Sequence, residues 1–308
     1  MSIPELEKQI REFINSSRKQ SELAKNTSDW NKLCSSLDLI GDTQLAVDSY
    51  AKFHNAEDDG SSYLIIYGIL QALLLQQNAA KHIGDSLGIK VKLPKELSDI
   101  RVIRNSAGGH PTFQKENGLS KSCFITRMSI SPTSFQLMTV YSGDREYDFN
   151  TISIPSLIST QKTFLSGILG EIVMELRRQE MQHRENHKGI KFSDYFPHTI
   201  SYHISKILEA TYPGNDRTFG SVNLKMISEC IGNFKKELSS RGEWGVYDSI
   251  NYHYEMIEYP FKRMENYFIG SDDMNNKDAY IFTSFIANQI ESLEEIAKEL
   301  DEKYETAV

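Results

Sequence analysis

The stretch YLIIYGILQALLL, residues 63–75, decides the fold class. It is the most apolar run of the chain, yet its 13 residues fall short of the ~20 that a helix needs to cross a bilayer. Gly68 and Gln71 interrupt it as well. A run this short and apolar on most sides is a core helix covered by its neighbours, which predicts a helical bundle rather than a membrane protein.

Helical periodicity holds on both sides of it. Segments 3–25 and 29–54 read as amphipathic helices, with Gly41 a candidate interruption of the second. NAEDDGSS (55–62) leads into a long helix over about 61–87, with Glu57, Asp58 and Asp59 suited to the positive end of its dipole as a charged cap. Pro94 opens a short helix that runs to about Ala107 and ends at Gly108-Gly109. Then the pattern changes. CFITRMSIS, SFQLMTVYS and REYDFNTISI are β-branched and aromatic, separated by SPTS and SGDR turns, and predict a three-stranded antiparallel insertion over about 123–154. Helical spacing resumes at Ile154, and GIKFSDYFPH marks a boundary. Further helices follow near 198–211, 221–240, 245–268 and 278–305. The expected architecture is mainly α, in three parts: N-terminal helices (1–55), a helical core with the β insertion (56–190) and a C-terminal helical domain (191–308).

A formal net charge of -8 excludes a broadly basic nucleic-acid-coating protein but leaves room for a local cationic cleft. Cys34, Cys123 and Cys230 have neither metal-ligand spacing nor an even count, so a reducing, cytoplasmic setting is expected. MSIPELEKQIREF at the amino terminus is charged and helical in pattern rather than signal-like.

The anomaly lies in SDIRVIRNSAGGHPTF, residues 98–113. At about 100° per residue, Leu97, Ile100, Ile103 and Ala107 form one apolar stripe, and Arg104 falls within it. A guanidinium there is costly unless it is paired, hydrogen-bonded, or turned to a ligand or second subunit. His110 stands six residues on, roughly 240° away around an unbroken helix, but Gly108-Gly109 can turn the chain and Pro111 biases His110 out of helical geometry. A guanidinium binds two phosphate oxygens, and an imidazole moves protons near neutrality. Together they suit phosphodiester chemistry on RNA, whose 2′-hydroxyl is a built-in nucleophile.

Arg104-Asn105-x4-His110 resembles the Arg-x(4–6)-His signature of the HEPN superfamily, in which a polar residue often follows the arginine. The likeness covers the motif and its helical setting, about residues 56–190. It implies a helical bundle that homodimerises to bring two motifs into one cleft, and a metal-independent, cofactor-free endoribonuclease of toxin or anti-phage type. Arg104 and His110 would then be catalytic, with Asn105 in support, Arg101 a candidate substrate contact, and Gly108 and Gly109 the structural hinge. The implied partners are RNA, a second copy, and an antitoxin or other regulatory protein. The alternative function is a catalytically silent HEPN-like module that binds RNA, nucleotide or protein; a purely structural interaction protein is a third.

Competing signals are weaker. Arg178-x4-His183 also matches the bare pattern, but without a helix breaker and in a charged setting that reads as a solvated helix end. His183 and His187 are four apart, a zinc-compatible spacing, yet lack the metalloprotease order. VYDSINYHYEMIEYPFKRMENYF mixes aromatics and cations, as a base-stacking surface does, but helix packing explains it as well. No phosphate-binding loop, dinucleotide fingerprint or nucleophile elbow is present.

Overall fold

The structure, a computed structural model, describes residues 1–53, 58–116, 119–142 and 147–306. Glu57 and most of the SGDR turn lie outside the described residues. The chain divides into two compact units, 1–177 and 178–308.

The first unit contains α1 (Ile3–Ile14), α2 (Ser17–Ala24), α3 (Thr27–Tyr50), α4 (Asp59–Ser86), α5 (Lys95–Arg104), four strands, and most of α6 (Ile154–Asn186). Leu33, Leu37 and Ile40 of α3, Ile66, Leu70 and Leu73 of α4, Leu97 and Ile100 of α5, and Leu165 and Leu169 of α6 share one buried core. The apolar run that opens α4 is therefore a core helix, and the segment up to residue 50 packs into the same core rather than forming its own. Among the described residues, no helix is long and apolar enough to cross a membrane.

Local chemistry sets the ends. Asp58 caps α4, accepting from the Ser61 amide at 2.9 Å, as the acidic lead-in predicts. Pro94 is the residue immediately before α5 and opens the helix as expected. The expected helix over 3–25 is two helices, because the Ser16 hydroxyl donates to the Phe13 carbonyl at 2.9 Å and competes with the helical ladder. Gly41 does not interrupt α3; the buried Ile40 and Leu37 beside it outweigh the ~1 kcal/mol helix cost of a glycine.

β1 (Gln114–Glu116), β2 (Leu119–Ile125), β3 (Ser134–Tyr141) and β4 (Tyr147–Ser153) form an antiparallel sheet in that order. The three expected strands are β2–β4, and β1 is an added edge strand. One face buries Cys123, Phe135, Leu137 and Ile152. The SPTS turn closes with the Ser131 amide on the Ser134 carbonyl at 2.9 Å, and the Tyr50 hydroxyl donates to the Pro132 carbonyl at 2.8 Å, tying the turn to the end of α3.

The second unit is wholly helical in its regular elements beyond α6: α7 (Ile200–Ala210), α8 (Arg217–Ser240), α9 (Asp248–Ile269) and α10 (Asn276–Thr306). Its own core includes Phe234, Met264, Tyr267 and Leu293.

Candidate active site

α5 runs antiparallel to α4, as its two arginines show. Arg101 reaches Gln77 (Nε to Oε1, 2.7 Å) and Asn78 (Nη2 to Oδ1, 2.5 Å), whereas Arg104, one turn later, reaches back to Gln71 (Nη2 to Oε1, 2.7 Å). Arg104 also donates from Nη1 to Oδ1 of Asn105 at 3.1 Å. Both acceptors are neutral amide oxygens, and no carboxylate among the described residues pairs with Arg104. Among the described residues there is thus no ion pair with a buried acid of the kind that would give this arginine a purely structural role. Its fork is oriented on both Nη atoms while its positive charge stays uncompensated.

Arg101 is placed differently. Burial pulls its pKa down from the usual arginine value, and its Nε and Nη2 are committed to α4. Gln77 passes the connection inward, donating to Gln161 of α6 at 2.8 Å. Gln161 donates to the Leu73 carbonyl at 2.9 Å and to Gln76 at 3.2 Å, and Gln76 donates to Gln44 of α3 at 3.2 Å. The arrangement makes Arg101 the outer end of a buried amide chain joining four helices.

The helical path ends at the glycine pair as expected, but its last turn is not α-helix. Residues Asn105–Gly109 form a π-helical turn, closed by the His110 amide on the Asn105 carbonyl at 2.8 Å. Gly108 and Gly109 are not among the positive-φ glycines, so they do not turn the chain by a left-handed conformation. Space is the reason for glycine here. A Cβ on Gly109 would lie 2.5 Å from Nη1 of Arg104, and one on Gly108 would lie 3.2 Å from the Tyr67 ring. Single π turns inside α-helices are rare and recur at functional sites.

His110 is exposed, and its backbone is held from both directions. Its amide closes the π turn, and the next carbonyl, of Pro111, accepts from the Cys123 amide at 2.7 Å. The Thr112 carbonyl accepts from the Ser122 hydroxyl at 2.8 Å. The chain thus brings Gly109, immediately before the imidazole, against the guanidinium. None of the hydrogen bonds among the described residues joins the two side chains directly.

Sequence reasoning did not assign Gln71 and Tyr67 to the site. Gln71 registers in the sequence only as a polar break in an apolar run; that break is the signal, since a lone amide there needs a partner. Tyr67 lies beside Gly108, with its ring 5.8 Å from that of Tyr63, and burial followed by the neighbouring Tyr63 pushes its hydroxyl pKa up.

Packing takes up part of each of the other candidates, although Tyr252 and Tyr259 of the aromatic segment stay exposed. His183 contacts the Tyr304 hydroxyl at 3.0 Å, and His187 lies 3.7 Å from a Glu237 oxygen, so this helix end is partly buried rather than solvated. Among the described residues no cluster of three or more His, Cys, Asp or Glu is arranged to hold a metal ion. Within the aromatic segment, Tyr267 is fully buried and Tyr254 packs edge-on to Trp244 at 4.8 Å. Set against family models, curated proteins and solved structures, the chain matches none of them, and the reading of the Arg104–His110 site rests on its own chemistry.

Proposed function

We propose that the chain is a metal-independent endoribonuclease of HEPN type, acting as a homodimer in a toxin or defence role. The observation that carries this reading is the Arg104 guanidinium, oriented by Gln71 and Asn105 yet neutralised by no carboxylate among the described residues. A fixed, uncompensated guanidinium suits the equatorial oxygens of a phosphodiester under attack. The RNA 2′-oxygen attacks phosphorus and the 5′-oxygen leaves, giving a 2′,3′-cyclic phosphate. His110 takes the proton from the 2′-hydroxyl or returns one to the leaving oxygen. One chain offers one such pair, and a second copy supplies another. Leu64, Tyr67 and Val102, all exposed on α4 and α5 beside the motif, supply an apolar surface for that contact.

A second reading, a silent RNA-, nucleotide- or protein-binding module, draws on the lack of a direct hydrogen bond between the two motif side chains. One experiment decides. Cleavage of single-stranded RNA is expected to persist in EDTA and to leave a cyclic phosphate, while a 2′-deoxy substitution at the scissile position blocks it. His110→Ala is expected to lower the rate about 10²–10⁴-fold with the fold intact. Activity that disappears with chelator and returns with magnesium overturns the mechanism. A folded, fully active His110→Ala protein overturns the assignment.

A further inference from the structure

The solvent side of the sheet departs from the usual alternation. With one face buried, polar residues are expected on the other. The register instead aligns Phe124, Met138 and Phe149 in one row across β2, β3 and β4, and Ser122, Val140 and Tyr147 in the next. Phe124 is 49% exposed, Phe149 55% and Tyr147 56%. Strand spacing sets Phe124 and Phe149 roughly 10 Å apart at the backbone, and Tyr147 about 7 Å along β4 from Phe149. That separation leaves room for a planar group to reach each ring.

We propose that this face is a stacking platform for the bases of single-stranded RNA, with Phe124, Tyr147 and Phe149 as its plates. Base–aromatic stacking on an open sheet needs rings in this kind of array and tolerates any sequence, because every base has a π face. Three observations select this occupant. The platform is continuous with the motif: the Ser122 hydroxyl at the head of one row donates to the Thr112 carbonyl, two residues past His110. It is also free of negative charge. In a chain with 42 acidic and 34 basic residues, no outward position in the paired rows of β2–β4 carries a carboxylate. Arg127 is exposed just beyond β2, where a phosphate can meet it. Finally, Ser122, Gln136 and Thr151 flank the rings on the same face. Those polar groups suit base edges, whereas a second sheet packed face to face requires apolar side chains throughout.

The choice of RNA rests on the nuclease reading, and the test separates the two. A short fluorescein-labelled, unstructured uridine-rich RNA is titrated with the His110→Ala protein and followed by anisotropy. Phe149→Leu and Tyr147→Leu keep apolar bulk and remove the ring. Each is expected to weaken binding about 5- to 100-fold, with helical circular dichroism and molar mass unchanged. Unchanged affinity overturns the platform, as does tighter binding of a duplex of the same length. Variants that lose self-association rather than RNA affinity show that a second copy covers the face, which also overturns it. RNA held through the rings by a chain that cuts no RNA keeps the platform and removes the nuclease reading. Cleavage with ring-independent binding does the reverse.

Discussion

A methyl group on Gly109 would stand 2.5 Å from Nη1 of Arg104 and 3.1 Å from Oδ1 of Asn105. The obstacle is the tip of a long side chain, which can swing away at small cost to the fold. Swinging it away breaks the bonds to Gln71 and Asn105 that aim the guanidinium. Gly109→Ala is therefore expected to leave the melting temperature nearly unchanged while lowering the rate of RNA cleavage about 10²-fold, as an ångström of misplacement does. Gly108→Ala is the control, since its methyl would meet only the half-exposed Tyr67 ring at 3.2 Å and should cost little activity. Stopped-flow cleavage beside calorimetry reads both. At this scale Arg104 was legible, because a charge in an apolar stripe advertises itself. Gln71 was not, because its partner lies on another helix 33 residues away in sequence, and no local pattern records that distance.

Between elements, the amide chain from Arg101 through Gln77, Gln161 and Gln76 to Gln44 joins α5, α4, α6 and α3, with each amide donating to the next. Gln76, Gln77 and Gln161 are buried, so removing the middle member orphans groups on both sides. Gln161→Leu is expected to cost about 1–3 kcal/mol for each polar group left without a partner, read as a lower urea midpoint. The helices themselves were legible from their apolar spacing, and β2–β4 from β-branched runs and turn residues. The π turn was not, because Asn-Ser-Ala-Gly-Gly specifies no π geometry locally, and the Tyr67 ring that Gly108 approaches lies on another helix. β1 escaped for a similar reason. Three residues are too few to show a period, and only pairing with β2 makes them a strand.

For the molecule as a whole, the prediction concerns assembly. Leu64 is 76% exposed and Val102 55%, on the two helices that carry the motif. Light scattering is expected to give the mass of two chains, and Leu64→Asp to give one chain with a large loss of specific activity. A monomer with full activity rules out a composite site. The π turn also bears on the whole chain. Counted along the sequence, it is a helix carrying one surplus residue. Deleting Gly108 lets the ladder re-thread as ordinary α-helix with the chain beyond it kept in phase, whereas winding all five residues as α-helix advances everything after them by about 100°. The Pro111 carbonyl then misses the Cys123 amide of β2. If the strands answer by slipping one residue, every buried side chain on them trades places with an exposed one. A surplus residue wound the wrong way there acts on the molecule as a frameshift acts on a message: every character is still present, and each is out of phase with its partner.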